Sequence, residues 1–123
     1  MGWIMIKGIG TDIVEISRIE KLMHKSQFVE RILTFKEREV FDAMSFKRQL
    51  EFLAGRFAAK EAVAKALGTG IGDISFQDIE ILNSVTGQPQ IKIKNSRFAT
   101  DNYYLSISHS IDYAVAFALV EEQ

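Results

Sequence analysis

The alanine-rich run Gly55-Arg56-Phe57-Ala58-Ala59-Lys60-Glu61-Ala62-Val63-Ala64-Lys65-Ala66-Leu67-Gly68 constrains the fold more than any other part of the chain. Alanine is the strongest helix former and glycine readily takes the left-handed stop, so the run is a helix that ends at Gly68. Residues four apart stack on a helix, which puts Glu61 and Lys65 on one face and Arg56 and Lys60 on another. A carboxylate and an amine one turn apart are, alone, a solvated ion pair worth about 0.3 kcal/mol. They become a site only if other segments supply matching groups.

A chain of 123 residues suits a single domain, 1–123, with a core of its own. Hydrophobic residues at 47% and charged ones at 25% place it with soluble globular proteins. The net charge of −1 gives no global attraction for nucleic acid, so electrostatic recognition must be local. The absence of cysteine excludes disulfides, thiolate metal sites and a cysteine nucleophile. With no signal peptide to read either, the expected compartment is the cytoplasm. No apolar run approaches the roughly 20 residues of a membrane span, so no membrane partner is expected. Residues 1–4 precede a second methionine, Met5, and read as an alternative start or an upstream extension.

Two periodicities divide the chain. Ile4-Met5-Ile6-Lys7-Gly8-Ile9-Gly10 reads as a strand whose glycines mark a bend or a close approach. Ile16, Ile19 and Met23 recur at helical spacing, which predicts a helix from about Ile13 to Lys25. Thr34 with Glu37 three residues on is a capping box, predicting a helix of about three turns. Ser45 is the expected cap of the next helix, which runs on to Leu67. Beyond it the apolar period becomes two: Ile79 and Ile81, then Ile91 and Ile93, flank Thr86-Gly87-Gln88-Pro89 as a hairpin. Leu105 and Ile107 alternate with serines, and an apolar strand from Ala114 to Val120 follows, with Asp112 in the turn between. Helices first and antiparallel strands later give an α+β fold, helices packed on a small antiparallel sheet.

Each polar candidate has two readings. Asp12, after Gly8-Ile9-Gly10-Thr11, is a helix cap or a metal carboxylate at the mouth of a glycine-lined cleft. Glu61 is a second carboxylate among small neighbours, and two carboxylates completed by water and phosphate oxygens are the usual way to hold Mg²⁺. Arg56, Lys60 and Lys65 are phosphate contacts or ordinary helix surface. Gly68-Thr69-Gly70-Ile71-Gly72 either offers backbone N–H groups to a phosphate or is a plain helix-to-strand connection, and it lacks a P-loop ending. His109 shares a face with Leu105 and Ile107, as a partly buried structural histidine or as a phosphate-contacting one. Arg18, Lys21 and Lys25 fall at i, i+3 and i+7, a basic stripe that is solvated surface or a dock for an acidic helical partner. No serine, histidine and aspartate share a nucleophilic spacing.

Three segments in order carry a resemblance: Gly8-Ile9-Gly10-Thr11-Asp12 with Arg18 downstream, Phe57 through Gly70, and Ser106-Ile107-Ser108-His109-Ser110. Together they resemble the holo-acyl-carrier-protein synthases, small bacterial 4′-phosphopantetheinyl transferases, and the likeness runs from Met5 through nearly the whole chain. The resemblance implies a fold of that transferase type. It implies transfer of 4′-phosphopantetheine from coenzyme A to a serine of apo-acyl carrier protein, releasing adenosine 3′,5′-bisphosphate, in fatty acid biosynthesis. Asp12 and Glu61 would hold Mg²⁺ and Lys65 would neutralise the coenzyme A pyrophosphate. Arg56, His109, Gly68 and Gly70 would lie at the cofactor. It further implies a homotrimer with sites between subunits, and an acidic carrier protein docked on Arg18, Lys21 and Lys25. Glu61 is the candidate general base, and the nucleophile belongs to the partner.

Overall fold

The computed structural model describes residues 5–123; the expectations for residues 1–4, including a strand start at Ile4, lie outside the described residues. The chain runs β1 (Met5–Glu15), α1 (Ile16–Met23), α2 (Ser26–Ile32), α3 (Phe35–Asp42), α4 (Phe46–Ala66), a 3-10 turn (Phe76–Asp78), β2 (Ile79–Asn83), β3 (Pro89–Ile93), β4 (Asn102–His109) and β5 (Tyr113–Glu122). The strands form two antiparallel sheets, one of order β1-β5-β4 and the hairpin β2-β3. Helices on small antiparallel sheets are the α+β arrangement expected.

Helix α4 is the axis of the domain. At 21 residues it is about 30 Å long at the usual rise, and it packs on β1 and on the central strand β5. Ala58, Ala59, Ala62 and Ala66 of the helix are buried, as are Ala114, Ala116 and Ala118 on the inner face of β5. Small side chains on both surfaces let helix and sheet approach closely, so the alanines serve packing as well as helix propensity. Ser45 accepts the Arg48 N–H at the start of α4, and Gly68, at φ 76°, ends it in the left-handed region.

Strand β1 comes still closer. A Cβ on Gly8 would sit 1.9 Å from the Ala66 carbonyl oxygen, and one on Gly10 would sit 2.0 Å from that of Ala62. The glycines are therefore the close approach that their place in a strand signalled. They also fix the pleat: Gly8, Gly10, Asp12 and Val14 face α4, while Ile9 and Ile13 point outward and are exposed.

Three expected boundaries shift. Strand β1 continues five residues past Gly10, with Asp12 paired to Ala116 and Val14 to Ala114, so the first helix begins at Ile16 and not Ile13. Asp12 is thus a strand residue, and its reading as a helix cap is wrong; the residue before α1 is Glu15, which makes no side-chain cap bond. The capping box at Thr34 and Glu37 is present, but α3 is eight residues long, just over two turns. Helix α2 had no sequence signal: its first flanking residue, Lys25, offers no capping side chain.

Candidate active site

Strand β1 crosses α4 so that Asp12 reaches Lys65 and lies within electrostatic range of Glu61, one turn earlier on the helix. The Asp12 side chain is 16% exposed, and its Oδ1 accepts a hydrogen bond from Lys65 Nζ at 3.0 Å. The same ammonium donates to the Thr11 carbonyl at 2.9 Å. Glu61, one turn before Lys65, has a carboxyl pushed above its ordinary pKa by burial first and by the negative charge of Asp12 second. Lys65, Arg18 and Arg31 oppose that rise. Two carboxylates from separate elements therefore feel one another across the cleft mouth.

The donor set suits one kind of ion. Among the described residues no group of three or more His, Cys, Asp or Glu side chains could cage a metal. Two carboxylates with room for water and ligand oxygens fit Mg²⁺, which rarely takes an all-protein cage, and do not fit zinc.

Glu61 opens into a cavity of about 490 Å³ walled by Arg18, Phe28, Arg31, Phe57 and Phe76. The Phe57 and Phe76 rings stack with centroids 5.6 Å apart, and the Phe28 ring lies 6.0 Å from that of Phe57. This is a trough with aromatic walls that also carries Arg18, Arg31 and Glu61 in its lining. Arg18 therefore stands beside the carboxylates rather than on a remote face. Lys21 is in the last turn of α1, but Lys25 lies beyond the end of the helix at the start of α2. The continuous helical stripe expected for Arg18, Lys21 and Lys25 is thus broken at Lys25, because α1 stops at Met23.

A second pocket, about 270 Å³, is lined by Arg48, Glu51, Arg56, Asn83 and His109. Arg56 is 6% exposed; its Nε donates to the Ile81 carbonyl, another nitrogen reaches Asn83 Oδ1, and its guanidinium lies 4.3 Å from the Phe52 ring centroid. Burial lowers its pKa, partly offset by Glu37, and the residue is a fixed wall of the pocket. His109 is 48% exposed in its side chain, with Nδ1 3.6 Å from Glu51 Oε2. The partly buried structural role is therefore wrong for it, because β4 ends there and releases the ring at the pocket mouth.

Two further readings are corrected. Lys60 is no phosphate contact: it is wholly buried, and its ammonium donates to Glu37 Oε1 and to the carbonyls of Ile32 and Phe76. The amides of Gly68 and Gly70 are not free to cradle an anion, since Gly68 donates to the Lys65 carbonyl and Gly70 to that of Ala64. What those glycines leave is space, with nothing within 4 Å of a Cβ at either. Missed in the sequence were Arg31, Glu51 and Asn83, which reach the two pockets from α2, α4 and the end of β2.

Comparison with known proteins gives the family and the fold. The family model for the 4′-phosphopantetheinyl transferase superfamily matches residues 8–118. A holo-[acyl-carrier-protein] synthase of Geobacillus sp. (strain WCH70) is 55% identical over 119 residues, 95% of this chain and 98% of the relative. The enzyme of the same name from Oceanobacillus iheyensis is 51% identical over 118 residues, 95% of this chain and 98% of the relative. The crystal structure of a holo-(acyl-carrier-protein) synthase from Bacillus anthracis str. Ames, in complex with CoA (3',5'-ADP), superposes with a TM-score of 0.88 at 48% identity, covering 97% of this chain and 99% of that one. A Helicobacter pylori counterpart in complex with coenzyme A gives 0.80 at 37% identity, covering 91% and 98%.

Proposed function

The chain belongs to the 4′-phosphopantetheinyl transferase superfamily and is a transferase of the holo-[acyl-carrier-protein] synthase kind, and from that membership we propose a full reaction: the phosphopantetheine arm of coenzyme A passes to a serine of apo-acyl carrier protein, with Mg²⁺ and in the service of fatty acid biosynthesis. The observation that carries this reading is the Asp12–Lys65 ion pair, one helical turn from Glu61, with Asp12 close enough to raise the Glu61 pKa.

In the reaction the serine hydroxyl attacks the phosphorus bearing pantetheine, and the bond to the adenosine 3′,5′-bisphosphate leaving group breaks. Phosphoryl-type transfer asks for positioning and charge neutralisation more than for a nucleophile on the enzyme. Asp12 and Glu61 would hold Mg²⁺, which when bound offsets the negative charge of the pyrophosphate. Lys65 adds a mobile positive charge at the same place. Glu61 is the candidate proton acceptor for the serine, directly or through a water. Arg56 and His109 suit the nucleotide end, in the pocket they share with Glu51 and Asn83. Arg18 and Lys21, exposed on α1, and Lys25 just beyond it suit an acidic carrier protein.

A homotrimer with sites between subunits fits the outer face of the three-stranded sheet. Ile9, Ile13, Val115 and Phe117 are 60%, 62%, 40% and 42% exposed there, on two paired strands. An apolar sheet face of this kind calls for a cover.

The test is a loading assay. Apo-acyl carrier protein incubated with coenzyme A and Mg²⁺ should gain the mass of one phosphopantetheine, and a chelator should stop the gain. Release of free phosphopantetheine without loading would mark a hydrolase instead. Carrier binding that persists without metal and leaves the carrier mass unchanged would mark a docking module.

A further inference from the structure

Lys65 holds the same carboxylate that the proposed metal needs. Its Nζ is fixed at two points, 3.0 Å from Asp12 Oδ1 and 2.9 Å from the Thr11 carbonyl oxygen. The two partners differ in freedom. Asp12 is 16% exposed and set in a strand paired along its length with β5, whereas the Lys65 side chain is 52% exposed on a flexible stem. If one of the two moves, it is the lysine.

The charges nearby point the same way. Glu61 feels Asp12 as a like charge and Lys65, Arg18 and Arg31 as opposite charges. Glu61 thus sits in the field of three cations and one other carboxylate. Such a cleft is a poor trap for a bare dication, and a good one for a dication that comes with phosphate oxygens.

We propose that Lys65 acts in the substrate-free enzyme as an internal counter-cation for Asp12, so that divalent metal binds tightly only when an organic pyrophosphate draws the lysine away. The inference rests on the reading of Asp12 and Glu61 as the metal carboxylates, and adds to it an order and a coupling. Metal and pyrophosphate become mutually dependent: each raises the affinity of the other by the same factor, as linkage requires. The lysine exchanges one anionic partner for another and keeps its proton throughout. The consequence for the protein is that free divalent ion does not occupy the cleft ahead of substrate, and the carboxylates are not left as an unpaired pair in the meantime.

The experiment measures metal binding and not turnover. Free Mn²⁺ is titrated by electron paramagnetic resonance against the metal-stripped full chain, with and without coenzyme A. Without coenzyme A, Lys65→Met should bind Mn²⁺ about tenfold more tightly than wild type, from the lost ion pair and the removed like-charge repulsion. With coenzyme A, the gain in Mn²⁺ affinity that wild type shows should shrink by a similar factor. Lys65→Arg, which keeps the charge, should resemble wild type without coenzyme A. An unchanged or weaker affinity in Lys65→Met, or a Lys65→Arg that behaves like Lys65→Met, overturns the inference while leaving the metal reading intact. Asp12→Asn distinguishes the deeper failure: if it leaves Mn²⁺ affinity unchanged under both conditions, the ion is not held here and both readings fall. Far-UV circular dichroism checks each fold, and Lys65→Gln replaces Lys65→Met if the latter does not fold.

Discussion

Lys60 Nζ lies 2.6 Å from Glu37 Oε1 in the interior, and neither side chain has any exposure to solvent. The ammonium spends its three donors on that carboxylate and on the carbonyls of Ile32 and Phe76. Glu37 also accepts the N–H groups of Thr34 and Ile81, and Thr34 donates to Glu80 at 2.6 Å. One buried pair thus ties α2, α3, α4, the 3-10 turn and β2. Removing one partner leaves the other charge buried and unmatched, so Lys60→Met should cost about 3–5 kcal/mol in denaturant unfolding. The double variant Lys60→Met with Glu37→Leu should lose less than the two single losses combined, which a double-mutant cycle reads directly.

Gly10→Ala places a methyl 2.0 Å from the Ala62 carbonyl oxygen, and backbone on both sides leaves little room to yield. It should destabilise the fold by at least about 2 kcal/mol and weaken metal binding by shifting Asp12. Thermal unfolding and metal titration check the two effects. An alanine at exposed Gly87, where nothing lies within 4 Å but φ is 87°, should cost stability through backbone strain and leave metal binding unchanged.

Glu61→Gln should make the metal-free protein more stable at neutral pH while stopping catalysis. Burial and then Asp12 raise the Glu61 pKa, so the folded state holds this proton more firmly than the unfolded chain does. Ionisation of Glu61 therefore works against folding, fully so above the folded-state pKa and not at all below the unfolded value. The stabilisation by Gln should accordingly appear as pH rises through the weakly acidic range and vanish below about pH 4. Urea midpoints measured across that range decide it; a midpoint unchanged or lowered at neutral pH contradicts the shift.

Much of the fold could be read because its signals are local. The Thr34 capping box, the Ser45 cap, the Gly68 stop and the hairpin around Gly87 each need only a few neighbouring residues, and each is where the sequence puts it. Asp12 was harder, because Ile13, Val14 and Ile16 suit a helix as well as a strand, and only pairing with β5 decides for the strand. Lys60 and Lys65 look alike on a helical projection. Glu37, 23 positions upstream, makes the first a core residue, and Asp12, 53 positions upstream, holds the second in an exposed ion pair. The carboxylate pair itself depends on a contact of strand on helix that no local pattern encodes.

Phe117→Glu on the outer sheet face should convert the proposed homotrimer to monomers, with sedimentation velocity as the readout, and lower transferase activity in parallel. The side chain is 42% exposed in the single chain, and a charge there cannot be buried against a copy without a partner. A variant that stays assembled would place the subunit interface on another surface.

Arg18→Glu should weaken carrier binding on the order of tenfold, mostly through association rate, and added salt should weaken the wild-type complex. Surface plasmon resonance at two ionic strengths separates this from loss of fold. Lys25→Glu should do less, since Lys25 lies beyond the end of the helix that carries Arg18.

At Gly8 and Gly10 strand and helix touch main chain to main chain, with no side chain between them for a nearby substitution to re-aim. The spacing of the acids on either side is therefore inherited from backbone geometry and is nearly immune to sequence drift elsewhere in the domain. The aromatic trough is different: its walls come from α2, α4 and the turn near Phe76 and are joined by ring contacts that can be exchanged one at a time. The shape of that trough can therefore change ring by ring, while the carboxylates of Asp12 and Glu61 stay where the main chain holds them.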